Sequence, residues 1–293
     1  WTWESKAFNV PWREGPVTIG KINQINNFCI GSQGNENKCM SCHAGYGWEA
    51  GKQAQQANPE NVDCLACHAD PGSYGKGVFG NPAEGGDVLA AARSVRATTR
   101  ENCGKCHFDG GGGNGVKHGD LDESMYFPDQ ALDVHMGGKH NMQCSACHTT
   151  SKHQILGRLI ADNYTIDPRE QVSCEQCHSG KVHQDERISL HLSAVACQTC
   201  HIPAIALEDP TKLTWDWSKA GQQGREDDHF TYLKIKGEFT FDQNVKPEYR
   251  WFNGNNEYRY LLGDKISDDG PTYINKPAGS ISDASAKIFP FKV

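Results

Sequence analysis

Apolar residues are sparse along this chain and rarely follow the regular patterns that build long helices or sheets. Hydrophobic residues make up 37% of the 293 positions, which is low for a protein of this size. One good helical pattern covers Val88–Arg96, with Asp87 as its N-cap, and leads towards Cys103. No apolar run approaches the length of about 18 residues that a membrane-spanning helix needs. We therefore expect no transmembrane segment.

The pattern changes in the last third of the chain, where aromatic residues become frequent and cysteine is absent. Residues 230–241 alternate in part like a strand. Residues 249–252 and 258–261 flank Asn253-Gly254-Asn255-Asn256, which predicts a hairpin turn. We predict a small β-containing module over residues 202–293, packed on a core formed by residues 1–201.

The candidate chemistry lies in that core, where the pattern Cys-x-x-Cys-His occurs six times. This pattern is the attachment signature of c-type heme. Cysteines at i and i+3 of a helical turn share one face with a histidine at i+4, so two thiols and one imidazole can reach the same porphyrin. The copies are Cys39-x-x-Cys42-His43, Cys64-x-x-Cys67-His68, Cys103-x-x-Cys106-His107, Cys144-x-x-Cys147-His148, Cys174-x-x-Cys177-His178 and Cys197-x-x-Cys200-His201.

Two other interpretations of the repeated cysteines fit poorly. A zinc site uses paired cysteines, but it gives no reason for a histidine directly after every second cysteine. A disulfide framework gives no reason for twelve cysteines at one fixed internal spacing. We therefore predict six covalent hemes c, each with its motif histidine on the iron.

Six hemes change the expected fold and the expected partners. Large flat porphyrins replace much of a side-chain core, which explains the low apolar content. We predict a multiheme cytochrome c fold that is loop-rich, with short helices wrapped around stacked hemes. The net charge is −7, and heme propionates make the assembled molecule more acidic, which disfavours nucleic acid as a partner.

The second axial ligands decide what each heme can do, because an iron with two strong ligands binds no substrate. Seven histidines lie outside the motifs, almost enough for six irons. Imidazole is a favoured iron ligand. His140 stays open between ligand and polar side chain, and His229, in the cysteine-free tail, is not assigned. The predicted distal ligands are His118, His135, His153, His183 and His191.

Two further features stand near the motifs. Cys29 is the thirteenth cysteine, and it is either a reactive thiol or a small buried apolar residue. Five glycines within residues 110–115 precede Lys117 and indicate a backbone that approaches a heme or a cavity closely. From the residues alone, Lys117 is a solvated loop lysine paired with Asp120, since lysine is rarely buried without a partner.

Several stretches together resemble the octaheme tetrathionate reductase family of multiheme c-type cytochromes. They are Phe28-Cys29-Ile30 before the first motif, Lys38–Trp48, Gly115–Leu121, Pro247–Gly254 and Leu262–Ile266. The resemblance implies that one heme carries a distal lysine, with a cysteine and an aspartate nearby. By order and spacing it assigns these roles to Lys117, Cys29 and Asp129, with Asp120 and Asp133 as competitors for the aspartate. It places Lys117 on the heme of Cys64, Cys67 and His68.

One departure from the family concerns the number of hemes. The family has eight, and its last two motifs lie beyond the aromatic tail, whereas this sequence carries six. We expect either a six-heme relative or a piece of a longer protein. Because heme is attached to this motif outside the cytoplasmic membrane in prokaryotes, we expect a periplasmic or extracellular protein whose export signal has been removed.

Two functions from different classes fit these features. The first is an oxidoreductase that reduces a small inorganic sulfur or nitrogen compound, namely tetrathionate, nitrite or hydroxylamine, at the lysine-ligated heme. The second is a non-catalytic extracellular electron conduit or a polymerised cytochrome nanowire, in which all irons have two strong ligands. Both functions require redox partner cytochromes, and the second allows a homo-oligomer or filament.

Overall fold

The computed structural model describes residues 2–4, 18–20, 41–42, 45, 59–77, 80–110, 112–117, 119–157, 172–261 and 263–293. Within these ranges no helix exceeds the eight residues of α3. Short 3-10 turns lie at Pro59–Asn61, Glu123–Tyr126, Cys174–Gln176 and Trp217–Lys219. The helices are α1 (Cys64–His68), α2 (Val88–Arg93), α3 (Arg100–His107), α4 (Cys144–Cys147), α5 (Glu186–His191) and α6 (Cys197–His201).

The described residues include eleven short strands, which form small antiparallel sheets. In sequence order they are β1 (Thr2–Glu4), β2 (Thr18–Gly20), β3 (Thr150–Ser151), β4 (Gln154–Ile155), β5 (Thr211–Asp216), β6 (Tyr232–Leu233), β7 (Gly237–Asp242), β8 (Glu248–Phe252), β9 (Asn256–Arg259), β10 (Asn275–Pro277) and β11 (Lys287–Phe291). The pairs are β1–β2, β3–β4, β8–β11 and β9–β10, and β7 lies between β5 and β6. The predicted architecture of short helices and a small C-terminal β region is confirmed.

The helix predicted at Val88 begins where its capping residue places it. The Asp87 carboxylate accepts a hydrogen bond from the Ala90 amide at 2.9 Å, as an N-cap does. The helix ends at Arg93, before the predicted end at Arg96, because the Ser94 hydroxyl donates to the Ala91 carbonyl at 2.7 Å. A separate helix, α3, then carries the chain to Cys103.

The hairpin predicted around Asn253–Asn256 is wrong. The chain does turn there, with Gly254 at φ +97°, but the two flanking strands do not pair with each other. Strand β8 pairs with β11, from Phe252 opposite Lys287 to Glu248 opposite Phe291. Strand β9 pairs with β10. The Asn253 amide donates to the Ala278 carbonyl at 2.9 Å, which directs the turn towards a distant segment.

The strand pattern predicted over residues 230–241 resolves into β6 and β7, joined by a turn in which the Lys236 amide donates to the Leu233 carbonyl at 2.8 Å. Tyr232 and Phe239 are buried and form the centre of this sheet. Their burial explains the alternation, since every second residue of a strand faces the same side.

The C-terminal strands contact the motif-bearing segment directly. The Ala196 amide donates to the Ile288 carbonyl at 3.0 Å, and the Thr199 hydroxyl donates to the same oxygen at 2.7 Å. Lys292 reaches further back, to the Val116 carbonyl at 2.8 Å. The domain boundary between residues 201 and 202 stays a prediction. The described helices are all too short and too polar to cross a bilayer.

Candidate functional site

Five of the six motifs lie on a helical turn, as heme attachment requires. Helices α1, α4 and α6 begin at the first cysteine of their motifs, α3 ends on its motif histidine, and Cys174 opens a 3-10 turn. In the first motif Cys42 lies in a turn after Ser41, whereas Cys39 and His43 lie outside the described residues. The eleven cysteines that the structure describes are all free, so they form no disulfide framework.

Capping residues fix where several motifs begin. Asp63 is buried and accepts hydrogen bonds from the amides of Leu65 and Ala66 at 3.1 and 3.3 Å, which starts α1 at Cys64. The Tyr74 hydroxyl holds the other carboxylate oxygen at 2.6 Å. At α3 the capping box of Thr99 and Asn102 has the same effect. The motif turns are therefore fixed by their own flanking residues.

Two motif histidines have ring orientations that suit iron binding. Nδ1 of His68 lies 3.0 Å from the Arg96 carbonyl, and Nδ1 of His148 lies 2.8 Å from the Leu156 carbonyl. A carbonyl accepts only, so Nδ1 must donate its proton in each case. Nε2 is then unprotonated and available to a metal, the arrangement in which an outer hydrogen bond fixes the tautomer of a ligating histidine.

Three motif histidines each face one histidine from outside the motifs. The ring centroids are 6.3 Å apart for His68 and His153, 6.0 Å for His135 and His178, and 6.1 Å for His183 and His201. With metal–nitrogen distances of about 2 Å and ring centres about 1 Å behind the nitrogens, two imidazoles on one iron have centroids about 6 Å apart. The three pairs therefore have the spacing of bis-histidine heme ligands.

The surroundings of these pairs suit heme better than a bare metal ion. Zinc takes three or four protein ligands, and the described residues hold no cluster of three or more metal-binding side chains. A heme needs only two, because the porphyrin supplies the other four. Nδ1 of His183 is buried and has no hydrogen-bond partner among the described residues. A buried imidazole nitrogen without a partner beside a second imidazole is consistent with a pair of side chains that binds a metal.

His153 lies opposite His68, the histidine on whose heme the family resemblance places Lys117. Lys117 is exposed, on the loop after Gly115, and its carbonyl accepts a hydrogen bond from Lys292 at 3.3 Å. Two other motif histidines, His107 and His148, face no second imidazole within the described part of the chain. The assignment of Lys117 to the heme of His68 stays a prediction, and His153 is its competitor for that iron.

The remaining predicted site residues are scattered. Asp129 is exposed, and its carboxylate accepts hydrogen bonds from the amides of Ala131 and Leu132, both at 2.9 Å. Asp133 caps the next turn in the same way. Asp120 faces the tail, where the Leu207 amide donates to it at 3.3 Å, and burial raises the pKa of its carboxyl.

Other predicted residues were not brought into a site. Cys29 and His118 lie outside the described residues, so their roles stay predictions. His191 is exposed at the end of α5, and His140 is exposed on a loop. Neither faces another imidazole in the described ranges, so the predicted role of His191 as a ligand also stays a prediction.

Thiols from different motifs lie close enough to shift one another's pKa. The neighbouring pairs are Cys42 with Cys106, Cys103 with Cys144, and Cys174 with Cys197. Before heme is attached, Cys103 lowers the pKa of the Cys144 thiol to about 6, and burial together with the charge of nearby His148 lowers the pKa of His107. The first motif therefore lies near the third, the third near the fourth, and the fifth near the sixth.

Comparisons with known proteins agree with this geometry. Three family models match: "Cytochrome c7 and related cytochrome c" over residues 27–108, "Cytochrome c554 and c-prime" over residues 122–179, and "Cytochrome c bacterial" over residues 212–293. The crystal structure of an octaheme cytochrome c from Shewanella oneidensis superposes with a TM-score of 0.83 at 43% identity. That match covers 100% of this chain and 65% of the octaheme chain.

The chain is a multiheme c-type cytochrome. The resemblance inferred from the sequence is confirmed at this level: the cytochrome is related to octaheme cytochrome c, and covalent heme c is its cofactor. An uncharacterized protein from Archaeoglobus fulgidus is 26% identical over 159 residues, which cover 54% of that protein. The cytochrome thus spans less than two thirds of either relative.

Proposed function

We propose that this cytochrome is an electron conduit of six covalently attached hemes, most of whose irons have two histidine ligands. The observation that supports the proposal is the spacing of about 6 Å in the three ring pairs joining a motif histidine to a second histidine. Heme iron supplies one-electron chemistry when bound. The histidines hold both axial positions, so those irons have no place for a substrate.

We infer the order in which the conduit passes electrons from which motifs lie near each other. Neighbouring thiols link the first motif to the third, the third to the fourth, and the fifth to the sixth. The second motif joins the array through His153, which faces His68 and lies five residues after the fourth motif. His135, which faces His178 of the fifth motif, lies nine residues before Cys144 of the fourth. This short loop connects the two groups. Electrons would then enter and leave at opposite ends of the array, through redox partner cytochromes in the periplasm or at the cell surface.

The conduit is tested by removing the distal histidines one at a time from the heme-loaded protein. His153→Ala, His135→Ala and His183→Ala should each turn one low-spin heme high-spin, as counted by electron paramagnetic resonance and resonance Raman spectroscopy. His229→Ala is the control, and it should leave all hemes low-spin. A His153→Ala variant with an unchanged spectrum would contradict the pairing.

The number of hemes is tested by the mass of the intact, denatured protein. This mass should exceed the polypeptide mass by six heme units, and a smaller excess would contradict the six-heme proposal.

The second candidate is reduction of a small inorganic sulfur or nitrogen compound, such as tetrathionate, nitrite or hydroxylamine. The observation that favours it is that His107 and His148 face no imidazole in the described chain, while Lys117 stands ten residues after His107. A lysine amine that holds a sixth position yields to substrate more readily than an imidazole does. The heme of His43, His107 or His148 would then be the reactive one.

The residues of this second candidate would have distinct roles. Lys117 would bind the iron as a neutral amine and give way to substrate. Cys29 would exchange with a sulfur substrate through thiol–disulfide chemistry. Asp129, or one of its competitors Asp120 and Asp133, would deliver protons.

Cyanide titration separates the two candidates. Lys117→Ala should open one distal site, so that one heme of the variant binds cyanide at least about tenfold more tightly than in the wild type. Lys181→Ala, another exposed loop lysine, is the matched control. Equal cyanide affinity in Lys117→Ala and the control would contradict a lysine-ligated heme and favour the electron conduit.

A further inference from the structure

Two lysines and one histidine lie against the glycine loop at residues 112–116. Lys236 Nζ lies 3.6 Å from the point where a β-carbon on Gly112 would stand, and His229 Cε1 lies 3.4 Å from the same point on Gly113. Lys292 Nζ donates to the Val116 carbonyl at 2.8 Å and to the Thr211 hydroxyl at 2.5 Å. The C-terminal part of the chain therefore holds several cationic side chains against this loop, which has no side chain at Gly112 and Gly113.

Lys212 extends this group from the neighbouring strand β5. Its ammonium lies 3.6 Å from the Phe239 ring centroid and 4.1 Å from that of Trp215, and Lys236 Nζ lies 5.9 Å from the same Trp215 ring. Aromatic faces attract a cation but do not cancel its charge. Burial, and then the charges of Lys236 and Lys292, lower the pKa of Lys212 to about 8. The positive charges of Lys236 and Lys292 therefore repel that of Lys212.

Carboxylates near the loop do not neutralise these charges. Asp209 accepts a hydrogen bond from the Asn114 amide at 2.6 Å, and buried Asp122 is held by the Ser124 amide at 2.9 Å. Where the structure describes the chain, no carboxylate lies within salt-bridge distance of Lys212, Lys236 or Lys292. Half-buried cations that lie together without acidic partners destabilise the folded state unless an anion binds beside them.

We propose that Lys236 and His229, facing the glycine loop at Gly112 and Gly113, form with nearby Lys212 a binding site for an oxygen-bearing anion. Backbone without side chains lets an anion approach closely, the lysines supply charge-assisted hydrogen bonds, and the imidazole adds a further donor. Sulfate, sulfite and carboxylate groups carry the negative charge and the acceptor oxygens that such donors bind. The anion is either a dissolved inorganic oxyanion or a propionate of a bound heme. The proposed site does not depend on whether Lys117 binds an iron.

Calorimetric titration of the heme-loaded protein with sodium sulfate at low ionic strength tests whether the site binds a dissolved inorganic oxyanion. One sulfate should bind per chain, and Lys212→Gln and Lys236→Gln should each weaken binding by about tenfold, because each removes one close charge. Lys234→Gln is the matched control, since Lys234 is exposed in the turn between β6 and β7 and lies only two residues from Lys236. It should bind sulfate as the wild type does.

Potentiometric titration of the same three variants tests whether the site binds a heme propionate. A propionate in the site would block sulfate in the wild type. The midpoint potential of one heme should then fall in Lys212→Gln and Lys236→Gln, because loss of a nearby positive charge favours the ferric state, with no change in Lys234→Gln. The proposal is overturned if the wild type binds no sulfate and all three variants keep the wild-type potentials, or if sulfate binds equally well to all of them.

Discussion

Asp63 and Lys76 form a buried ion pair, with 3.2 Å between the carboxylate oxygen and Nζ and with side chains 6% and 5% exposed. Asp63 also caps α1, the helix that presents Cys64, Cys67 and His68 to their heme. Lys76 in turn donates to the Gly45 carbonyl at 2.6 Å, which ties the second motif to the segment after the first. One charge pair therefore joins two heme-bearing segments.

Replacing Asp63 by asparagine should destabilise the fold strongly, because the ammonium of Lys76 stays buried without its counter-charge. Loss of one partner of a buried pair costs about 3–5 kcal/mol. Denaturant titration of the variant measures this free energy of unfolding. The control is Asp70→Asn, which breaks the pair with Arg96 at 2.8 Å, where both side chains are about half exposed. That change should cost at most about 1 kcal/mol, and similar losses in the two variants would contradict the argument.

Gly104→Ala should also destabilise the protein, through crowding inside the third motif. A β-carbon at Gly104 would stand 2.5 Å from ring atoms of both Phe108 and Tyr126, whose rings pack edge to face with centroids 4.7 Å apart. Overpacking of this kind costs about 1–3 kcal/mol. Gly72→Ala is the control, since nothing lies within 4 Å of its β-carbon position. Thermal unfolding of the two variants should differ clearly, and equal midpoints would show that the two rings can move aside.

His153→Met should raise the midpoint potential of one heme while leaving it low-spin. A methionine ligand opposite a histidine raises the potential relative to two histidines. The rise should be about 0.1 V or more, within the range of about 0.8 V that axial ligands span. Spectroelectrochemical titration measures it, with Ser151→Met, an exposed residue two positions before His153, as the control. An unchanged set of potentials in His153→Met would remove His153 from the ligands.

Lys212→Met should change how stability depends on alkaline pH. Burial, followed by the charges of Lys236 and Lys292, lowers the pKa of Lys212 to about 8, below its value of about 10.4 in an unfolded chain. The folded protein therefore releases this proton first, and the free energy of unfolding of the wild type rises between pH 8 and about 10.4. Burial also lowers the pKa of Lys292 to about 8, so Lys212→Met should lose only the part of that rise that Lys212 contributes, and the slope should become shallower. Unfolding titrations across this window check it, and Lys234→Met should keep the wild-type slope.

The motifs could be located from the sequence because their spacing is a local property. Cysteines three positions apart with an adjacent histidine define one helical turn, and the structure places the described motifs on such turns. Asp87 predicted the start of α2 for the same reason, since a cap acts within its own turn. Its end was misplaced by three residues, because a hydroxyl–carbonyl hydrogen bond at Ser94 competes with the helix.

The sequence pattern could not predict which distant residues and strands pair with each other. The Asn253–Asn256 turn suggested that β8 and β9 pair with each other, whereas β8 pairs with β11 near the end of the chain. His153 could be placed near a heme by its distance from His148, but nothing local indicated that it faces His68. The gathering of Lys212, Lys236 and Lys292 at the glycine loop is likewise a product of tertiary packing and left no motif.

The ring pairs described above have a consequence for biogenesis. His153 lies five residues after the fourth motif but serves the second, and His183 lies five residues after the fifth but serves the sixth. Under this scheme the second heme stays half-ligated until more than eighty further residues have emerged, while the sixth finds its partner already exported. Maturation of the second heme would therefore depend on a later segment, and deleting the segment that carries His153 should leave one axial position of that heme open.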